Sequence, residues 1–197
     1  MKYFEYIPKV ARPYFTKKVV IIGTESCGKS SLVSNLAKVY NTTYVEETGR
    51  EVCDNAGGID NMISTDFFEI MIKHKVRELE VIKNANKVLF IDTEAIVTMY
   101  YLKLLFDETN ENINTIFELG DSISKLNNDY LYIFLEPDVK WVQDGTRTYG
   151  EDEVREKNNI LLKKMFNERK IDYEIVKGNY HYRFQKAKEI IDRLLIK

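Results

Sequence analysis

The chain has only two cysteines, Cys27 and Cys53, and three prolines in 197 residues. Two thiols make neither a disulfide framework nor a zinc ligand set, so they read as free thiols of a reducing compartment. No stretch approaches the roughly 20 apolar residues of a membrane span. The opening segment MKYFEYIPKVARPYF lacks the long apolar run of a secretory leader. The expectation is a cytoplasmic protein with no membrane partner. Charge of one sign is also lacking. A formal net charge of −2 gives the molecule no overall pull toward nucleic acid, so no nucleic-acid partner is expected and any anion site must be local. There is no internal repeat and no low-complexity segment. What remains is 44% hydrophobic and 30% charged residues, the balance of an ordinary globular protein, with a length that suits one α/β domain.

Residues 1–16 hold Pro8 and Pro13 and read as an extended lead-in or linker to a folded domain over 17–197. From Lys17 onward, short apolar β-branched runs alternate with helical patterns. The strand candidates are KVVIIG, TTYVEE, KVLFID, YLYIFLE (ended by Pro137) and YEIVKG. Between them lie helix candidates: SSLVSNLAKVY, then DFFEIMIKHKVRELEVIKNA with Phe67, Ile70, Met71, His74, Leu79 and Ile82 broadly on one side. AIVTMYYLKLLF, EDEVREKNNILLKKMFNERK and a C-terminal segment complete the set, and DNAGGID reads as a turn. Strands apolar on both faces and separated by helices predict a parallel five-stranded sheet with helices on both faces.

The first strand runs directly into GTESCGKS, residues 23–30, which matches G-x-x-x-x-G-K-[ST] at every fixed position. A triphosphate needs many donors at close range. Gly23 and Gly28 let the backbone turn inward, and the N–H groups from Glu25 to Ser30 then line a concave nest at a helix N-terminus. Lys29 adds a full charge for the β- and γ-phosphates, and the Ser30 hydroxyl suits Mg²⁺. Gly23, Thr24, Glu25, Ser26, Cys27, Gly28, Lys29, Ser30 and Ser31 are therefore the expected ATP site. Cys27 needs no redox role there; it reads as a small side chain that fits. The fold expected is the P-loop NTPase fold.

Other motifs narrow the class. Asp54-Asn55-Ala56-Gly57 matches a GTPase D-x-x-G only by letter, because it does not end an apolar strand, and N-K-x-D is absent. The chain is also short for a large remodelling ATPase. A small nucleoside- or nucleotide-kinase-like enzyme remains, which needs Mg²⁺ ligands, an acceptor pocket with a base, and arginines over the transferring group. Asp92 ends KVLFID at the sheet edge where ligands bind in this architecture, and suits either Mg²⁺ or an acceptor hydroxyl; its alternative is a helix N-cap. Glu94 lies two residues on. Glu46, Glu47, Arg50 and Glu51 follow the second strand, where they hold sugar hydroxyls or form a solvated turn. Arg147, in DGTR, is the candidate lid cation, with Arg155 assisting, or part of a plain surface loop. His74 reads as a structural histidine. Asn179 and Tyr180 follow the fifth strand, where adenine often packs, and Tyr100, Tyr101 and Trp141 are candidates for stacking on an acceptor base.

Taken together these motifs resemble the C-terminal ribosylnicotinamide kinase domain of the NadR family, from about Tyr3 to the C-terminus. The resemblance is carried by Arg-Pro-Tyr-Phe at 12–15, by Glu25 and Ser26 within GTESCGKS, and by Glu47, Gly49, Arg50 and Glu51. FIDTEAIVT, with Glu94 where Asp is frequent, and WVQDGTR, similar to the family's lid, add to it. The resemblance implies ATP- and Mg²⁺-dependent phosphorylation of the ribose 5′-hydroxyl of nicotinamide riboside. Lys29, Asp92 and Arg147 would be catalytic, Ser30 and Asp92 would organise metal, and Glu46, Glu47, Arg50 and Glu94 would bind substrate. Some members carry a tryptophan where this chain has Glu46, a carboxylate that would favour a cationic pyridinium. NadR proteins also carry an adenylyltransferase domain upstream, and some a helix-turn-helix domain. This chain begins at the linker, so adenylyl transfer and DNA binding are not expected of it. A kinase for another nucleoside or a nucleoside monophosphate, and a non-catalytic ATP-binding sensor of NAD status, stay open, as does a homo-oligomer.

Overall fold

The computed structural model describes residues 3–106, 111–127, 129–141 and 152–196. The lead-in is not extended. It folds into helical turns at Phe4–Tyr6 and Lys9–Ala11 and a short helix α1 (Arg12–Phe15). Arg12 causes much of this: its guanidinium donates to the carbonyls of Ile7 (3.0 Å) and Glu5 (2.9 Å) and lies over the ring of buried Phe4.

Beyond it the chain runs β1 (Lys17–Ile22), α2 (Lys29–Val39), β2 (Tyr44–Val45), α3 (Gly49–Asn55), α4 (Ser64–Val81), β3 (Val88–Asp92) and α5 (Ala95–Leu105). It continues through α6 (Glu111–Lys125), β4 (Tyr130–Leu135), α7 (Asp152–Glu168), β5 (Tyr173–Val176) and α8 (Tyr180–Ile196). Among the described residues the strands form one five-stranded sheet, order β2-β3-β1-β4-β5, with every neighbouring pair parallel. This is the parallel sheet expected from the sequence. The register sets Ile21 beside Asp92 and Ile22 beside Phe134, so the ends of β1, β3 and β4 open at one edge.

Alternation along the strands separates two cores, because successive side chains point to opposite faces. Val20, Ile22, Leu89, Ile91, Tyr132 and Phe134 face α4, α5, α6 and α7; Val19, Ile21, Val88, Phe90, Ile133 and Leu135 face α2 and α8. With both faces covered, β1 is buried from Val19 to Ile22. Among the described residues no helix is long and apolar enough to cross a membrane.

Besides α3, which the sequence reading left unassigned, the structure departs from that reading in two helices. In α4, Leu79 is exposed and Glu78 is buried, since Glu78 accepts from Lys75 at 3.0 Å and from the Tyr130 hydroxyl. The second departure is α6, which sequence reasoning did not identify. Its polar residues hide an apolar stripe at Ile113, Ile116 and Ile123, and Gly120 allows α5 close approach: a Cβ there would stand 2.5 Å from the Met99 sulfur. Gly120→Leu is therefore expected to destabilise the fold by about 1–3 kcal/mol through overpacking. Urea unfolding checks this, and unchanged stability would contradict the close α5–α6 packing.

Candidate active site

The loop between β1 and α2 follows a path most side chains avoid. Gly23 has φ +146° and Gly28 φ +87°, and Ser26 between them also has positive φ, +56°. A Cβ on Gly23 would meet the Leu135 carbonyl oxygen at 2.7 Å, and one on Gly28 would meet the Tyr180 ring at 2.7 Å. Both glycines are thus demanded by conformation and by space. Lys29 is buried, and its Nζ donates to the Thr24 carbonyl at 2.9 Å; the Cys27 thiol donates to the same oxygen at 3.0 Å. Burial pushes the Cys27 thiol up, so it stays neutral and serves as packing. Burial alone would lower Lys29, but the surrounding carboxyl groups of Glu47, Asp92 and Glu25 act against it and hold the ammonium charged.

Asp92 lies at the end of β3, 2% exposed. Burial, then the charge of Glu47, raises its pKa to about 7, against the opposing pull of Lys29, a hydrogen bond with Ser30 and Arg50. Its Oδ1 is buried without a partner among the described residues. Asp92 is not the cap of the following helix. That role falls to Glu94, whose carboxylate accepts from the Ile96 N–H at 2.9 Å at the start of α5. Burial raises Glu94 to about 7 as well.

A cleft of about 1120 Å³, counted to its open mouth, extends from this loop. Part of its lining is polar: Glu25 to Ser31 of the loop, then Glu47, Thr48, Arg50, His74, Thr93 and Tyr101. The rest of the lining is largely apolar: Cys53, Ile59, Met62, Phe67, Ile70, Val97 and Leu105. A polyanion suits the polar part of the lining and a planar ring the apolar part.

The sequence-selected residues sort by position. The loop, Glu47 and Arg50 meet in the cleft, and Asp92 lies directly behind Ser30. Glu46 does not line it: its carboxylate is exposed and accepts from the Tyr44 hydroxyl at 3.2 Å, because alternation along β2 turns it outward. Glu94 does not line it either, since its carboxylate is committed to the α5 cap. Tyr180 packs on Gly28, while Asn179 caps α8 by accepting from the Tyr182 N–H at 2.9 Å. Of the aromatic candidates, Tyr101 reaches the cleft, Tyr100 is buried beneath it, and Trp141 lies under Arg155 at 5.6 Å. Arg155 borders a smaller hollow with Thr24, Glu25, Tyr100 and Asn158. Arg147 and the rest of DGTR lie outside the described residues.

His74, read from the sequence as structural, is buried and hydrogen-bonded, and it also lines the cleft. It lies in the cleft wall, its Nδ1 3.1 Å from the Thr48 hydroxyl, and burial lowers its pKa to about 4. It stands between the segment carrying Glu47 and the segment after Asp92, where Thr93 holds a positive φ of +65°. Nothing in the spacing marks it, because the Thr48 contact joins residues from different elements.

A family model described as "AAA domain" matches residues 18–183. The "Trifunctional NAD biosynthesis/regulator protein NadR" of Salmonella typhimurium is 34% identical over 98% of this chain. The chain spans 46% of that protein's length. A crystal structure of a NadR protein in complex with NR superposes with a TM-score of 0.83 at 25% identity, over 96% of this chain and 55% of the other. A deoxyadenosine kinase from M. mycoides shares the fold, with a TM-score of 0.61 at 14% identity over 90% of this chain and 98% of the other.

The raised pKa of Asp92 has a sign that stability can test. The folded state keeps a proton that the unfolded chain releases near pH 4, so stability from this group is present at low pH and is lost as pH rises through about 7. Asp92→Asn should therefore gain stability relative to the parent between about pH 5 and about pH 7.5. Denaturant titrations at the two pH values check this; a constant difference would show that Asp92 is not held protonated.

Proposed function

The chain belongs to the AAA-domain family and is homologous to NadR, and from that premise we propose an ATP-dependent kinase that phosphorylates the ribose 5′-hydroxyl of nicotinamide riboside. The product is nicotinamide mononucleotide. One observation carries the reading: a buried, charged Lys29 in a glycine-bent loop lines one cleft together with Glu47 and a set of apolar side chains. The polar lining suits the phosphates of ATP and the apolar lining a nucleoside base.

The residues divide the work by exposure. Glu47 lines the cleft and can reach a hydroxyl; Asp92 is sealed behind Ser30 and cannot without movement. We therefore assign Glu47 as the base that takes the 5′-hydroxyl proton. The ribose oxygen bonds to the γ-phosphorus as the bond to the β–γ bridging oxygen breaks, and ADP leaves with the electron pair. Lys29 and the loop amides steady charge on the phosphates, and Arg50 lies beside Glu47 to hold ribose hydroxyls. Asp92, with one orphaned oxygen, and the Ser30 hydroxyl suit a hard cation held partly through water. When bound, Mg²⁺ would supply charge neutralisation to the β- and γ-phosphates. Arg147 keeps the role its sequence context suggests, as a cation over the transferred group.

Incubation with Mg-ATP and nicotinamide riboside, followed by mass spectrometry, should yield nicotinamide mononucleotide and ADP in equal amounts. Phosphorylation of a different nucleoside in preference, or no transfer at all, would reject the acceptor assignment. Lys29→Ala should abolish transfer. Glu47→Gln should lower kcat by about 10²–10⁴-fold with ATP binding retained, whereas Asp92→Asn should raise the Mg²⁺ concentration needed for half-maximal rate. A Glu47→Gln enzyme at full rate would return the base to another group.

A further inference from the structure

Arg183, on the first turns of α8, is 2% exposed, yet it does not border the cleft. Its guanidinium is spent almost wholly on backbone. Nη1 donates to the Cys27 carbonyl at 2.5 Å, Nε to the Gly178 carbonyl at 2.6 Å and Nη2 to the Glu136 carbonyl at 2.7 Å; Nη2 also pairs with Asp138. Asp138 in turn accepts from the Gly178 N–H at 2.6 Å. One side chain thus joins the phosphate loop to the segments that leave β4 and β5.

The bond to Cys27 carries the consequence. In a planar trans peptide the C=O and the following N–H point in opposite directions. Holding the Cys27 carbonyl toward Arg183 therefore turns the Gly28 N–H away from α8, toward the concave side where the loop borders the cleft. Without that anchor the peptide is free to rotate, because Gly28 is glycine at φ +87° and tolerates either orientation. A buried guanidinium on three carbonyls is costly to leave unmatched, so it resists that rotation.

We propose that Arg183 is a positioning residue for ATP: it presets the Cys27–Gly28 peptide so that the Gly28 amide faces the polyphosphate before nucleotide arrives. This rests on the reading of the loop as an ATP site, and it does not depend on the acceptor.

The test is equilibrium binding of Mg-ATP by titration calorimetry, with no acceptor present. Arg183→Met should weaken ATP binding by about tenfold or more, the equivalent of about 1.4 kcal/mol. Arg183→Lys, which retains a donor but not the fork, should fall between. Arg169→Met serves as the control. That arginine bonds Asp121 at 2.7 Å and the Met165 carbonyl at 3.0 Å, far from the loop in the chain. It should lower the melting temperature and leave ATP affinity unchanged, as a merely structural role for Arg183 would also do. Arg183→Met with parental affinity overturns the proposal. Should that variant not fold, Asp138→Ala decides instead, since Asp138 is 40% exposed and its loss removes the carboxylate that pairs with Nη2 and steadies the guanidinium on the Cys27 carbonyl. About threefold or greater weakening supports the proposal, and unchanged affinity overturns it. A parent that binds ATP but makes no nicotinamide mononucleotide would sink the acceptor assignment and leave this test intact.

Discussion

The site depends on the turn by which β1 becomes α2. β1 is the middle strand, paired to β3 on one side and β4 on the other, and is buried on both faces. Its end is therefore fixed in space. The loop that follows must reverse inward within a few residues, and it does so through positive φ at Gly23, Ser26 and Gly28. Leu135 of β4 and Tyr180 of α8 press on the two glycines, so the bend is held from outside as well as permitted from within. An anion-binding nest at the N-terminus of α2 is the result.

Charge balance follows from the same placement. The parallel register brings the end of β3 beside the end of β1, and with it Asp92 beside Lys29 and Ser30. Low solvent exposure makes each of these charges matter. Lys29 stays charged because acidic groups surround it, while Asp92 is pushed up toward neutrality because burial and Glu47 act together. The two carboxyl groups near the loop are thus of unequal exposure. Glu47 lines the cleft, and Asp92 is buried behind the loop. That inequality is the ground for the proposed division of tasks, which spacing alone left with Asp92.

Much of this was legible in the chain. GTESCGKS after an apolar strand defines the loop, and alternating strands and helices define a parallel sheet, because both depend on local pattern. Asp92 was placed at the correct edge for the same reason. What was not legible depends on contacts between distant segments. Glu46 and Glu47 are adjacent in sequence, and only the brevity of β2 and the turn into α3 decide which faces the cleft. Glu94 resembles a substrate ligand by motif, but the buried start of α5 takes its carboxylate for a cap. His74 and Arg183 act across 26 and 156 residues of chain, distances at which periodicity says nothing. Helix α6 was hidden by a glycine and several polar residues whose value appears only when α5 is packed against it.

The central claim is that the amides from Glu25 to Ser30 and the Lys29 ammonium converge on a polyphosphate. A crystal structure of the chain with ATP and Mg²⁺ tests it most directly. The account predicts β- and γ-phosphate oxygens within about 3 Å of the Gly28 and Lys29 amides and of Lys29 Nζ, with the Thr24–Lys29 hydrogen bond released. Phosphates seated at any other part of the molecule, with that bond intact, would contradict it.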